Sequence, residues 1–275
     1  MKQTFYGSVQ QAKVDAGDEL GRHVEDIALK GFTVVHNCLP SAELSIWREK
    51  IDHIYEQQER EFGREALAAI QELNLCRSPL LYDLTFVSLA TFSKVCSIVE
   101  KCLGEWFILH LQNAIINRPE TLHHQGSWHR DIPHLNVVTS RPLAISALWA
   151  IDEFSSQTGG THFLPFTHKH PELPSDPFIE ANHIVASVPA GSVIVFDSML
   201  FHRAGVNCSQ IIRRAVNHVY TSPIVKQQCD YPRALAGQEP ALGASAARIL
   251  GFGSQCPLND KAWRLARAAK LQAKP

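Results

Sequence analysis

Residues 192–221 read SVIVFDSMLFHRAGVNCSQIIRRAVNHVYT. Two β-branched runs, Ser192–Phe196 and Arg213–Thr221, flank a connector punctuated by Asp197, Ser198, Gly205 and Asn207. Such runs bounded by turn residues read as short strands. Working outward, Trp106–Ile116, Ser127–Pro133, Leu143–Ile151 and His183–Val188 have the same texture, with no helical pattern between them. Many short strands without intervening helices predict a sandwich or barrel rather than a parallel βαβ sheet. The ends differ. Gly31–Val35 reads as a strand. Ser41 then caps a helix with Ala42, Leu44, Ile46, Trp47, Ile51 and Ile54 at helical spacing, continuing past a break near Gly63 towards Leu75. Phe86–Leu103 reads as a second amphipathic helix ended by Gly104, and Ala244–Leu250 and Asp260–Leu271 have helical spacing. The prediction is one domain, mainly β with flanking helices. It has a helical part over about 20–104, a β core over about 105–222 and a helical extension over 223–275.

The chain has 275 residues, of which 45% are hydrophobic and 19% charged, so it can bury a full core and is not a disordered segment. Lys plus Arg is 26 and Asp plus Glu 27, and this balance offers no electrostatic case for nucleic acid or an anionic membrane as partner. No apolar run approaches the ~18 residues of a membrane span. The opening 20 residues are polar, lack an apolar leader and read as poorly tied down. Seven scattered cysteines without a CxxC pair fit inert thiols in a reducing compartment, hence a cytoplasmic protein. The 14 histidines are the unusual number and direct attention to metal.

Trp128-His129-Arg130-Asp131 carries the first candidate ligands. Residues i and i+2 of a strand project to one face, so His129 and Asp131 offer an imidazole and a carboxylate side by side. His202, beyond the Ser192–Phe196 strand, supplies a second imidazole. Two imidazoles and one carboxylate leave positions open on the metal and suit non-haem Fe(II) and oxygen activation. Arg213 and Arg214 follow eleven and twelve residues after His202. An antiparallel return would bring one of them beside the metal, where a guanidinium clamps a carboxylate. A metal with open positions beside an anion anchor calls for a small carboxylate co-substrate that also chelates iron. The bland reading covers the rest. His123, His124 and His134 are loop residues, and His162, His168 and His170 serve loop hydrogen bonding. Trp128 and Trp149 belong to the core. Gly159-Gly160 is a turn and not a phosphate cradle, and the cysteines are structural.

From about Gly31 to Tyr220 the chain resembles the phytanoyl-CoA dioxygenase family of Fe(II)/2-oxoglutarate-dependent oxygenases, which includes ectoine hydroxylases and natural-product tailoring enzymes. The resemblance lies in GFTVVHNCLPSAEL from Gly31, INRPETLHHQGSWHRD through Asp131, LWAIDEFSSQTGGTHFLPFTHKH through His170, and PAGSVIVFDSMLFHRAGVNCSQIIRRAV from Pro189. Phe166-Thr167 stands where the family has Gly-Ser before a histidine, and Pro171–Asn182 carries no family signature. The resemblance implies a double-stranded β-helix (jelly roll, cupin-like) core and iron held by His129, Asp131 and His202. It implies Arg213 on the far carboxylate of 2-oxoglutarate, with Arg214 as the alternative because the two alternate in face. It places Asn117 and Thr161 at positions lining the co-substrate or substrate pocket. That pocket is expected under segments 134–142 and 167–182.

The activity implied is hydroxylation of an unactivated C–H bond in a small molecule, using O2 and releasing succinate and carbon dioxide. The retained Asp131 favours this over halogenation, where halide takes the carboxylate's place. Desaturation, cyclisation or epimerisation could use the same residues. Two other classes stand beside it: a non-catalytic iron/2-oxoglutarate sensor, and a cupin-like metalloenzyme that needs no 2-oxoglutarate. The helix from Asp260 either covers the core or pairs two copies.

Overall fold

The computed structural model describes residues 17–119, 124–132 and 137–272. Most of the polar opening, and His123, Pro133 and His134, lie outside the described residues. Nine strands are present among the described residues: β1 Phe32–Val35, β2 Leu75–Arg77, β3 Ile108–Asn117, β4 Ala144–Ala150, β5 His162–Phe163, β6 Ile184–Val185, β7 Val193–Asp197, β8 His202–Arg203 and β9 Arg213–Thr221. The helices up to the core are α1 Glu19–Lys30, α2 Leu44–Phe62, α3 Arg64–Ala69, α4 Val87–Ala90, α5 Ser93–Leu103 and α6 Asp176–Asn182. After it come α7 Tyr231–Ala234, α8 Glu239–Leu242, α9 Ala244–Ile249 and α10 Asp260–Gln272. No helix among the described residues is long and apolar enough to cross a membrane.

The strands form two antiparallel sheets. The major sheet has the order β1-β7-β4-β9-β3-β2 and the minor sheet β6-β5-β8. The long partners β3 and β9 pair from Ile108↔Thr221 to Asn117↔Arg213. Every residue of β3 and β4 is buried, so both faces of the major sheet are covered. Period-2 alternation then sorts the side chains. Ala114, Ile116, Val216, Tyr220 and Trp149 face a core with Trp47, Ile51 and Ile54 of α2 and Val95, Ile98 and Val99 of α5. Ile115, Leu148, Ile194, Phe196 and Ala215 face Phe154, Phe163, Val188 and Leu200 on the other side. The candidate ligands lie on this second side, between the sheets.

Several expectations need correction. The architecture is a mixture of helices and antiparallel sheets rather than mainly β. Ser41 does not cap α2: it opens a 3-10 turn with Pro40 ahead of it, and no side chain caps α2. Ala42 and Ile46 are exposed, whereas Leu44, Trp47, Ile51 and Ile54 are buried. The helical reading across Phe86–Leu103 breaks at Thr91 and Phe92. The Thr91 hydroxyl bonds to the Val87 carbonyl and Phe92 is extended. Leu75 is not the tail of a helix but the start of β2, an edge strand too short to show a period. Within Ser127–Pro133 the described residues make only an isolated bridge, His129 to His202. His183–Val188 contributes the two residues of β6 and an isolated bridge from Val188 to Phe154, and the segment before it, which carries no family signature, contains α6. The break at Gly63 and the bounds Arg213–Thr221 match the expectation. Trp149 is fully buried against Phe92, while Trp128 is only partly buried.

Candidate active site

The metal-ligand geometry starts from two local backbone arrangements. His129 and His202 exchange backbone hydrogen bonds, N–H to carbonyl at 2.9 and 3.1 Å, which sets their rings side by side with centroids 4.4 Å apart. Each ring then turns its Nδ1 to the carbonyl two residues earlier: His129 to Ser127 at 2.8 Å, His202 to Leu200 at 2.9 Å. A carbonyl can only accept, so these bonds put the proton on Nδ1 and leave the Nε2 lone pair facing the centre. Asp131, two residues beyond His129, places Oδ1 3.5 Å from His202 Nε2. Its Oδ2 accepts from the Ser146 hydroxyl, which stands 2.7 Å from the Ser198 hydroxyl. The ligand atoms of His129, Asp131 and His202 all lie within 4.8 Å of one another.

The electrostatics keep the acid ionised. Burial opposes the Asp131 charge, but His202, His129 and the Ser146 hydrogen bond outweigh it and hold the carboxyl at about 2. Burial likewise opposes protonation of His202, and Asp131 outweighs it, raising its pKa. Two imidazoles with a shared orientation and an ionised carboxylate form a donor set that fits a divalent first-row metal with open positions.

β9 register sends the two arginines to opposite sides of the major sheet. Arg214 points to the helical side, where its guanidinium grips Asp52 of α2 with two bonds of 2.8 and 2.7 Å and reaches Asp152 at 3.3 Å. Arg213 points between the sheets and lines the same cavity as the triad, a space of about 400 Å³ including its open mouth. Arg213 is 2% exposed and forms no ion pair among the described residues. It donates to the Gly159 carbonyl at 2.7 Å, lies 4.4 Å over the Phe154 ring, and its buried Nε has no partner. Burial brings this guanidinium down to about 10, with Asp152 pulling the other way. A buried cation short of a hydrogen bond is suited to pairing with an anion.

The cavity wall also holds Ile115, Leu148, Phe196, Thr161 and Asn217, with Gln125 and Ala204 near the triad. Thr161 therefore lies on the wall, whereas Asn117 does not. The buried Asn117 side-chain amide donates to the Gly205 carbonyl at 2.9 Å, and the Asn117 main-chain carbonyl accepts from the Asn207 side chain at 2.9 Å. No residue of 137–142 or 167–182 lines this cavity, contrary to the expectation. Gly159, Gly160 and Gly205 pass main chain against main chain beside Arg213. A Cβ on Gly159 would meet the Gly205 carbonyl at 2.6 Å, and one on Gly205 the Gly160 carbonyl at 2.5 Å. The turn reading of Gly159-Gly160 holds, and the turn supplies an acceptor for Arg213.

Ser146, Ser198 and Arg130 were not singled out from sequence. Ser146 is a lone hydroxyl on an apolar face of β4, a signal readable only once the face is known. Arg130 is buried and donates to the carbonyls of Met199, Pro171, Thr167 and His170 while stacking 4.0 Å over Phe201. It thereby ties the ligand segment to residues 167–171. His168 and His170 bond to the carbonyls of Ala28 and Glu172, as expected of loop residues, but His162 does not follow suit. Burial raises the thiols of Cys96 and Cys102 to about 12 and Cys38 to about 11, in keeping with inert cysteines.

Residues 27–215 match the family model of phytanoyl-CoA dioxygenase. The chain belongs to the phytanoyl-CoA dioxygenase family. Membership makes it a dioxygenase-type enzyme. An uncharacterised protein of Mycobacterium tuberculosis is 33% identical over 258 residues, 90% of this chain and 92% of that one. Among solved members of the fold, the non-haem α-ketoglutarate-dependent carbocyclase SnoK of nogalamycin biosynthesis aligns with a TM-score of 0.60 and 16% identity, over 76% of this chain and 86% of its own. EctD from S. alaskensis, crystallised with 2-oxoglutarate and 5-hydroxyectoine, aligns with a TM-score of 0.60 and 16% identity, over 74% and 76%. These two likenesses are of fold.

Proposed function

We propose that this member of the phytanoyl-CoA dioxygenase family is an Fe(II)/2-oxoglutarate-dependent oxygenase that hydroxylates an unactivated C–H bond of a small molecule. One observation carries the reading: a His-Asp-His donor set and a buried guanidinium with no ion pair among the described residues face the same cavity. His129, Asp131 and His202 would hold the iron. Arg213 would hold the far carboxylate of 2-oxoglutarate, with Thr161 on the wall and Asn117 fixing the Gly205 carbonyl behind it. Iron bound there supplies oxygen activation coupled to oxidative decarboxylation of 2-oxoglutarate to succinate.

The protein's own part is orientation and exclusion of water. The carbonyls of Ser127 and Leu200 fix both imidazoles in the tautomer that presents Nε2. Ser146 holds the outer oxygen of Asp131, leaving the other towards the centre. Ile115, Leu148 and Phe196 make the inner wall apolar, which strengthens the charge pairing at Arg213. The two facing sheets support a double-stranded β-helix core within a single oxygenase domain. Relatives of the fold include an epimerase and a carbocyclase, so epimerisation, cyclisation or desaturation are alternative outcomes for the same residues.

The test is an anaerobic optical titration of apo protein with Fe(II) and then 2-oxoglutarate, beside Arg213→Ala. The expected result is a weak visible charge-transfer band that needs both additions and fades in the variant. Iron uptake without any band would discard 2-oxoglutarate, and no iron uptake would discard the triad. His129→Ala, Asp131→Ala and His202→Ala are each expected to abolish succinate formation.

A further inference from the structure

The reverse side of the minor sheet carries a second cavity. Phe163 pairs with His202 and His162 pairs with Arg203 across β5 and β8. Alternation sends the first pair inward, to the core and the triad, and the second pair outward. His162 and Arg203 line a space of about 1060 Å³ including its open mouth, together with Ser127 and the chain at 204–206. Ala204 belongs to the walls of both cavities, two residues beyond the ligand His202.

The chemistry of this second space is one-sided. The Arg203 guanidinium lies 5.1 Å over the Trp128 ring, yet makes no ion pair among the described residues, and its buried Nε has no hydrogen-bond partner. His162 also has a buried Nδ1 without a partner, and its ring stacks on His183 at 5.1 Å and 16°. Burial, then Arg203 and His183, push His162 down to about 4, so it is a neutral ring at pH 7. No carboxylate contributes to that shift. The walls thus present a stacked cation and a neutral imidazole, each short of a partner.

We propose that this cavity binds an anionic group, carboxylate or phosphate, carried by the organic substrate, with Arg203 supplying the charge and His162 a hydrogen bond. A planar guanidinium already stacked on an indole is suited to a two-point contact with either acid. The shared wall at Ala204 makes the two spaces neighbours, so a molecule held by its acid here extends round Ala204 towards the metal side. The word substrate rests on the proposed oxygenase function, whereas the anion site itself does not.

The experiment follows the His162 imidazole by histidine NMR, assigned with His162→Gln, while full-length protein is titrated with phenyl phosphate, benzoate and neutral benzyl alcohol. The two acids are expected to shift the resonance saturably and the alcohol not to. Arg203→Gln should weaken the acids at least tenfold, Arg203→Lys should restore part of the loss, and Arg213→Met should leave the titration unchanged. No saturable shift, equal affinity in Arg203→Gln, or loss in Arg213→Met would overturn the anion site. Loading the protein with Mn(II) tests whether an acid held here lies towards the metal side, as a substrate must. Ring protons of bound phenyl phosphate should relax faster in the loaded protein and not in His202→Ala. Metal uptake without that relaxation would make the cavity an effector site and refute the substrate assignment. Failure to take up metal would refute the oxygenase reading while the titration still decides the anion site.

Discussion

Replacing Arg213 by methionine is expected to stabilise the ligand-free protein and to remove its response to 2-oxoglutarate. Arg213 is 2% exposed, and burial lowers its guanidinium from 12.5 to about 10. At about 1.4 kcal/mol per tenfold change in protonation, that difference costs the charged form about 3 kcal/mol. The folded value of this base is the lower one, so the cost is fully present at pH 7 and fades only as pH rises past about 10. Against it stands the bond to the Gly159 carbonyl, 2.7 Å long and worth about 2 kcal/mol as a charge-assisted contact. The balance favours methionine by about 1 kcal/mol, or a rise of about 2–4 °C in Tm. The native protein loaded with Ni(II) should gain about 2.7 kcal/mol from 2-oxoglutarate at a hundred times its Kd, and the variant none. Urea unfolding with and without 2-oxoglutarate measures both effects. A variant less stable than the native chain by 2 kcal/mol, or one that keeps the 2-oxoglutarate response, would refute the view of Arg213 as an uncompensated charge awaiting an acid.

The neighbouring residue should behave oppositely. Arg214→Met breaks the pairing with Asp52 and Asp152 and should cost about 2 kcal/mol in urea unfolding, with 2-oxoglutarate affinity unchanged. Ser146→Ala removes the support of Asp131 Oδ2 and should weaken Fe(II) binding about tenfold, read by competition with a chromogenic chelator. His218 is buried and held neutral, its pKa lowered by desolvation to about 3. The unfolded chain takes up that proton below about 6.5 and the folded chain does not, so stability should fall as pH drops from 6.5 towards 3, by up to about 1.4 kcal/mol per pH unit from this residue. Comparing native protein with His218→Asn at pH 6.5 and 4.5 isolates the effect; equal slopes would refute it.

The long strands were legible because their signal is local. Arg213–Thr221 is a continuous run whose nine residues all reappear as β9, and Leu143–Ile151 differs from β4 by one residue at each end. Of the minor sheet only β6 fell within an expected strand; β5 and β8 were not legible, since strands of two residues carry no period, and the edge strand Leu75–Arg77 merged into a preceding helical pattern. The three candidate metal ligands could be picked out by spacing and residue type. Choosing between Arg213 and Arg214 needed register, because adjacent residues of a strand face opposite sides. Ser146 and Arg203 needed still more: their significance lies in what stands across from them, which no local stretch encodes.

The glycine crossing beside Arg213 has a consequence for how this cavity can change. Gly159, Gly160 and Gly205 pack main chain against main chain beside Arg213, and each would drive a new Cβ into a carbonyl oxygen. Side-chain replacement at these three positions can only add bulk, so single-codon change there has no route to more room beside Arg213. The cavity wall at Gln125, Thr161 and Ala204 presents side chains that can be changed one at a time. A mutational library should therefore find its tolerated variants at these three residues, while more room beside Arg213 requires rebuilding the loops around 155–160 and 205–207.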